Sequence, residues 1–182
     1  MMKRYKPTKE EILAAAGKTV PDLIAPDLRV LFCGINPSLY TAATGYNFAR
    51  PGNRFWPTLH AAGFTPRRLQ PEEQQELLSY GCGITNFVER ATVAAAELNK
   101  QELVAGGKLL VEKVLHYKPR VLAMLGVTAY RDAFGRRDAA IGLQPETIGD
   151  TRLWVLPNPS GLNAHYTPDA LARVYGELRE AL

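Results

Sequence analysis

Short runs of consecutive apolar residues alternate along the chain with longer stretches in which apolar residues recur every three or four positions. A short apolar run bounded by glycine, proline or asparagine is typical of a strand that is buried on both faces. Residues 143–150 show neither pattern and are predicted to form an irregular or extended connection. Strands are predicted at residues 28–32, 83–88, 120–125 and 153–156.

Helices are predicted where apolar residues recur every three or four positions and a capping residue precedes them. Thr8 and Glu11 form a capping box that begins a short helix, which ends near residue 17. Asn99 and Glu102 form another, at the start of a long helix. The segment that follows the first strand, residues 39–52, has no helical or strand period. The remaining helices are predicted at residues 53–62, 71–80, 99–117, 127–134 and 168–182.

Alternation of helices with strands that are apolar on both faces is typical of a mostly parallel sheet covered by helices. A chain of 182 residues is long enough for one domain with its own core. The predicted fold is therefore α/β, a three-layer α/β/α sandwich with a central, mostly parallel sheet of about four or five strands. Residues 1–25 are expected to form an N-terminal extension that contains the short helix, and residues 26–182 a single domain.

Composition narrows the class of protein only a little. Hydrophobic residues make up 46% and charged residues 22% of the chain, which is ordinary for a globular protein. No apolar run is long enough to span a bilayer, and no apolar core follows the N-terminal basic residues, so a signal peptide is not expected. Cys33 and Cys82 sit in or beside apolar segments, which argues against a disulfide framework or a cysteine zinc site. We therefore expect a reduced, cytoplasmic protein.

The net charge of +4 and the pI of about 9.1 favour a polyanionic partner but do not require one. Basic residues are concentrated near the N-terminus, where Lys3, Arg4, Lys6, Lys9 and Lys18 outnumber the acidic residues. We interpret this region as a solvated terminal arm. An arm that contacts phosphates is the alternative.

Asparagines follow three of the predicted strands. Asn36, Asn86 and Asn158 come directly after apolar runs. Each alone is explained by the preference of asparagine for turns. The carboxyl ends of parallel strands meet at one edge of a sheet, where ligands bind, so three asparagines there predict a shared cleft. A carboxamide both donates and accepts, which suits the edge of a nucleobase or a held water, but it is no strong base.

Two aromatic residues, Tyr46 and Phe48, lie in the irregular segment beside Gly45. Either could stack on a planar ring, or both could pack in the core, and the sequence leaves the two interpretations open. Other candidate chemistry is weaker, because the three histidines have no metal-ligand spacing and no nucleophile–histidine arrangement can be argued. Glu89 and Arg90 are expected to pair with each other.

Four segments together carry a resemblance to a known family. They read Gly-Ile-Asn-Pro at 34–37, Pro-Gly-Asn-Arg-Phe-Trp at 51–56, Gly-Ile-Thr-Asn at 83–86 with Val-Glu-Arg at 88–90, and Leu-Pro-Asn-Pro-Ser-Gly-Leu at 156–162. In this order they resemble the mismatch-specific uracil/thymine-DNA glycosylases of the uracil-DNA glycosylase superfamily. The resemblance covers about residue 24 to the C-terminus.

The resemblance implies a monofunctional base-excision repair enzyme that flips and removes uracil opposite guanine, and by extension thymine or damaged pyrimidines, leaving an abasic site. It implies no metal and no organic cofactor. The implied partner is double-stranded DNA with G·U or G·T mismatches, bound by a monomer. Asn36 would position the attacking water, and Leu162 would fill the gap left by the flipped base. The base would contact Ile35, Thr41, Phe48, Asn86 and Thr92, and the DNA strand would contact Asn158, Ser160, Gly161 and Leu162.

The chain departs from the family pattern after Leu162, where Asn163 and Ala164 replace a Ser-Arg pair. An arginine contact to DNA is therefore missing at that point. Two alternatives stay open from the residues alone. One is a non-catalytic protein that binds mismatched or damaged DNA, and the other is a small-molecule enzyme of nucleotide metabolism.

Overall fold

Four of the strands in the computed structural model, which describes residues 4–182, lie side by side and parallel. A fifth strand pairs antiparallel at one edge, so the sheet order is β2-β1-β3-β5-β4. Every residue of β1 and β3 is buried, as expected for central strands covered on both faces. The strands are β1 (Val30–Gly34), β2 (Cys82–Asn86), β3 (Val121–Leu125), β4 (Gly142–Ile148) and β5 (Thr151–Leu156). The predicted three-layer α/β class is confirmed.

Helices cover both faces of this sheet. Among the described residues, none of them is long and apolar enough to cross a membrane. Two 3₁₀ helices span Pro71–Tyr80 and Ala95–Glu97. The α-helices are α1 (Lys9–Ala14), α2 (Leu39–Thr44), α3 (Phe55–Ala61), α4 (Lys100–Tyr117), α5 (Val127–Phe134) and α6 (Pro168–Glu180).

Successive residues of β1 belong to different cores because side chains alternate across a strand. Phe32 packs with Leu59 and Tyr175 under α3 and α6, whereas Leu31 packs on the other face under α4 and α5. On that second face α4 lies against the chain that leaves β2. A Cβ on Gly106 would lie 2.0 Å from the carbonyl oxygen of Phe87, so the glycine allows this close approach.

Three segments differ from the sequence prediction. The segment expected to be irregular after β1 contains α2. The Ser38 hydroxyl caps the start of this helix and accepts from the Thr41 N–H at 3.1 Å. The helix was not predicted because six residues are too few to show a helical period. Residues 71–80 form a 3₁₀ helix rather than an α-helix. The connection predicted after residue 142 is the edge strand β4, whose pairing with β5 is interrupted between Leu143 and Thr147.

The open edge of β2 is covered by the segment that precedes β1. Leu23 forms an isolated antiparallel bridge with Ile84, with N–H to carbonyl distances of 2.9 and 2.7 Å. Beside it, the Lys113 ammonium and the Thr85 hydroxyl both donate to the Asp22 carboxylate. The segment that precedes β1 is thus attached to the sheet by both backbone and side-chain hydrogen bonds.

Candidate functional site

The carboxyl ends of the parallel strands border an open cavity of about 240 Å³. This is the edge at which open α/β sheets bind ligands. Its walls come from residues 34–53, 86–95 and 158–162, and Leu125 contributes from the end of β3. Gly161 does not line the cavity. The other nine predicted site residues do: Ile35, Asn36, Thr41, Phe48, Asn86, Thr92, Asn158, Ser160 and Leu162.

The Asn36 carboxamide is held in one orientation by two hydrogen bonds. Its Nδ2 donates to the Arg90 carbonyl oxygen at 3.0 Å and to the Thr92 hydroxyl at 2.8 Å. The Thr92 hydroxyl in turn donates to the carbonyl oxygen of Ala94 at 2.8 Å. Both amide hydrogens are therefore committed, which leaves Oδ1 of Asn36 as an acceptor for a ligand or a water.

The segment that holds Asn36 is itself fixed at two points. The Thr92 N–H donates to the Pro37 carbonyl oxygen at 3.2 Å. The predicted pairing of Arg90 with Glu89 is wrong, because Arg90 pairs with Glu102 near the start of α4 at 2.5 Å. The hydrogen bond from Arg90, with a second from the Asn99 N–H, lowers the pKa of Glu102 to about 2.

Asn86 ends β2 directly opposite Gly34 of β1. No hydrogen bond joins its side chain to any other residue of the described range 4–182. The carboxamide lies over Gly34, where an added Cβ would be 2.6 Å from Oδ1 of Asn86 and 3.3 Å from Cζ of Phe48. The absent side chain of Gly34 therefore makes room for both groups at the cavity floor.

Phe48 belongs to both the core and the cavity. Its ring stacks on Phe55 with centroids 4.1 Å apart and 26° between the ring planes. Its backbone has a φ of +52°, which is uncommon for a residue with a side chain. The hydroxyl of buried Thr41 accepts from the N–H of Ala49, the residue after Phe48, at 3.4 Å. Phe48 thus packs against the core and still lines the cavity, whereas Tyr46 does not line it.

The sequence argument gave no role to three lining residues that carry an amide or a guanidinium group: Asn47, Arg50 and Asn53. Asn47 is buried and its Nδ2 donates to the Gln74 side chain at 3.0 Å. The Asn53 side chain accepts from the Phe55 N–H at 2.9 Å, at the start of α3. Asn53 lies inside one of the recognised motifs, whereas Asn47 carries no signal in the sequence.

The exposed loop that follows β5 is built from successive side-chain-to-backbone turns. The Asn158 side chain accepts from the Ser160 N–H at 2.9 Å, and the Ser160 hydroxyl accepts from the Leu162 N–H at 3.2 Å. This arrangement presents Leu162, which is 77% exposed, at the rim of the cavity. No large hydrophobic side chain of the described residues is more exposed than that of Leu162.

Arg54 fixes this loop from beneath, a role that the sequence argument missed. Its guanidinium donates to the carbonyl oxygens of Ser160 at 2.8 Å, Asn163 at 2.9 Å and Tyr166 at 2.5 Å. Gly161 lies against the chain just before Arg54, where an added Cβ would be 2.6 Å from the Gly52 carbonyl oxygen. The two recognised motifs at 51–56 and 156–162 are therefore one structural unit.

The chemistry available in the cavity is that of amides and hydroxyls. Five asparagines line it, and Arg50 is the only charged side chain among the described lining residues. Across residues 4–182 no three His, Cys, Asp or Glu side chains gather as metal ligands. Cys82 is buried outside the cavity, and burial raises its pKa to about 12. The site can orient water and stabilise an anion, but it has no carboxylate to act as a base.

Comparison with known proteins bears on the fold and on the family. In a search of solved structures, the chain matches an NMR structure from Methanosarcina acetivorans, of a protein provisionally described as a uracil DNA glycosylase. The TM-score is 0.58 at 18% sequence identity, and the match covers 90% of this chain and 98% of the other, which supports the fold. The sequence model of the uracil DNA glycosylase superfamily matches residues 21–179. Because this match spans most of the chain, the protein belongs to the uracil DNA glycosylase superfamily.

Proposed function

We propose that the protein is a monofunctional DNA glycosylase that hydrolyses the N-glycosidic bond of uracil mispaired with guanine and leaves an abasic site. Membership of the superfamily supports a glycosidase with DNA as its partner. The observation that carries the proposal is the state of Asn36. Its two amide hydrogens are committed to Arg90 and Thr92, and its free oxygen belongs to a cavity with no carboxylate among the described lining residues.

In this mechanism the uracil nucleotide is rotated out of the duplex and its base enters the cavity. A G·U mispair is weaker than a Watson–Crick pair, so flipping costs less there, which itself favours mismatched substrates. The base stacks on the cavity face of Phe48, and the free carboxamide of Asn86 contacts its polar edge. Leu162, presented by its anchored loop, fills the vacated stack as an apolar wedge.

Bond cleavage in this site begins with departure of the base. The C1′–N1 bond breaks and its electron pair goes to the base, so negative charge develops on the base and positive charge on the sugar. Backbone N–H groups around Ile35, fixed at the end of β1, are the donors that stabilise that anion in this mechanism, and such preorganised donors make the largest contribution. A water that donates to Oδ1 of Asn36 attacks C1′, forming the new C–O bond, and its released proton passes to the base anion or to solvent.

Measuring base release tests the proposal. Duplexes that carry uracil, thymine or a damaged cytosine opposite each of the four bases are incubated with the protein, and abasic sites are revealed as strand breaks by alkali. We expect the fastest release from uracil opposite guanine, and at least a hundredfold loss in Asn36→Ala, as when one stabilising group of an active site is removed.

Two other outcomes would contradict parts of the proposal. Mismatch binding without base release from any duplex identifies a non-catalytic binder. Equal release by Asn36→Ala and the parent protein removes Asn36 from the chemistry. A thermal unfolding curve for the variant, compared with the parent, shows whether lost activity reflects lost structure.

A further inference from the structure

A second, smaller cavity of about 90 Å³ adjoins the first and is lined by three arginines: Arg4, Arg50 and Arg68. Phe48 and Asn53 line both cavities, and so does Arg50. The two spaces therefore share a wall.

The arginines of this smaller cavity are poorly neutralised. Arg50 and Arg68 are exposed, and neither forms an ion pair with a carboxylate of the described residues. Arg4 pairs with Glu72 at 2.6 Å, and both side chains are partly exposed. Three arginines thus line this small space, and Glu72, which pairs with one of them, is not among its described lining residues.

The neighbouring Arg67 differs from Arg68 because its guanidinium is paired with carboxylates. Its guanidinium donates to both Glu73 and Glu76 at 2.9 to 3.1 Å, and it does not line the cavity. The carboxylates of the 3₁₀ helix are therefore largely taken up by Arg67, one residue before Arg68. Arg68 therefore has no carboxylate partner among the described residues.

We propose that this arginine pocket binds a backbone phosphate of the DNA strand, next to the nucleotide whose base occupies the larger cavity. Guanidinium groups present planar pairs of N–H donors that match the oxygens of a phosphate, and such charge-assisted pairs are strong. The shared wall places the pocket within reach of the strand that carries the flipped nucleotide. The inference rests on the proposed function, and it assigns a role to Arg4, which precedes the residues matched by the family.

The salt dependence of DNA binding tests this assignment. Each phosphate contact contributes a slope of about −0.9 to a plot of log K against log salt concentration for duplex DNA. For an undamaged duplex, we expect Arg68→Ala to make the slope shallower by about 0.9 and to weaken binding at low salt. Arg120→Ala is the matched control, since Arg120 is exposed at the amino end of β3, the opposite edge of the sheet. Its slope should equal that of the parent.

A second measurement locates the phosphate. Single phosphates around a uracil nucleotide are replaced one at a time by uncharged methylphosphonates, and binding is measured for the parent and Arg68→Ala. The parent should lose affinity at one position near the uracil where Arg68→Ala shows no further loss. Matching scans for the two proteins, or an unchanged salt slope, would overturn the proposal.

Free phosphate is the competing source of the same chemistry. Binding of inorganic phosphate is therefore measured without DNA and at constant ionic strength. If phosphate binding depends on Arg68 but the salt slope for DNA does not depend on it, the pocket binds a free anion. The undamaged duplex keeps this test separate from catalysis. If no base is released from any duplex, the proposed function fails, and the slope comparison still decides whether the arginine pocket binds DNA.

Discussion

Asn36 and Asn86 stand at the ends of neighbouring parallel strands and line the same cavity, yet their surroundings differ completely. Asn36 donates both amide hydrogens to the 90–92 segment. Asn86 lies over Gly34 and has no hydrogen-bond partner in the described part of the chain. A fixed carboxamide presents one defined atom to the cavity, whereas a free one can present a donor or an acceptor.

The difference separates two tasks that one residue type performs in this site. A water must be held by a group that does not move, and the commitment of Asn36 to Thr92 and Arg90 supplies that rigidity. A base edge is met by a group that can rotate to match it. In the proposed mechanism Asn36 therefore governs the rate of bond cleavage, and Asn86 governs which base is held.

Removing each carboxamide in turn is the most direct test of this difference between Asn36 and Asn86. Asn36→Ala should lower the single-turnover rate of uracil release by about a hundredfold to a thousandfold, with little change in binding. Asn86→Ala should mainly raise KM, by about fivefold, because one hydrogen bond to the substrate is worth roughly 1 kcal/mol. Single-turnover kinetics over a range of enzyme concentrations measure the two quantities separately.

Each of these variants is the matched control for the other, since both lose an asparagine side chain from the same cavity. Equal effects on rate and binding in the two variants would remove the distinction between a held and a free amide. An effect of Asn86→Ala on the maximal rate alone would instead place Asn86 in the chemistry.

Gly34→Ala should disturb the free amide without touching the held one. The new methyl group would lie 2.6 Å from Oδ1 of Asn86 and 3.3 Å from Cζ of Phe48. Asn86 can rotate away, so the melting temperature should change little, but both base contacts move. We expect roughly a tenfold loss in kcat/KM for uracil, about 1.4 kcal/mol, from steady-state kinetics and a thermal melt. A large loss of stability with unchanged kcat/KM would contradict the prediction that the Gly34 methyl group acts on the base contacts.

The main features of the site follow from local patterns in the sequence. Apolar runs that end in Gly34, Asn86 and Asn158 predict both the parallel sheet and the edge at which these residues meet. The superfamily inferred from the motifs is confirmed by the family match, while mismatch specificity stays a prediction.

What the sequence could not show depends on contacts between distant residues. Asn47 reaches the cavity because Gln74 and Trp56 hold it, and neither contact leaves a periodic pattern. The pairing of Arg90 with Glu102 rather than Glu89 depends on where α4 begins in space. Short elements such as α2 also escape detection, since six residues contain fewer than two turns.

The rigidity of Asn36 can be weakened without changing Asn36 itself. Thr92→Val keeps the shape of the buried side chain but removes the hydroxyl that accepts from Asn36 and donates to Ala94. We expect about a fivefold lower single-turnover rate, from one lost hydrogen bond of roughly 1 kcal/mol. Thr92→Ser restores the hydroxyl and should restore most of the rate. Failure of serine to do so would attribute the loss to packing rather than to orientation of the amide.

The smallest expected effect concerns the ion pair behind Asn36, and it depends on pH. Arg90 and the Asn99 N–H lower the pKa of Glu102 to about 2, so the ionised carboxylate stabilises the folded state more than the protonated one. This contribution is complete above the ordinary value of 4.5 and is lost as the pH falls toward 2. Glu102→Gln should therefore be less stable than the parent at pH 7, with the difference shrinking between about pH 4.5 and pH 2 in denaturant titrations. Glu112→Gln, on the exposed side of the same helix, should match the parent's pH dependence.

At neutral pH, Glu102→Gln should release uracil about twofold more slowly, because Arg90 holds Asn36 through its backbone carbonyl and the ion pair only steadies that residue. A loss as large as that of Thr92→Val would mean that the Arg90–Glu102 pair contributes as much as the Thr92 hydroxyl to the orientation of the amide.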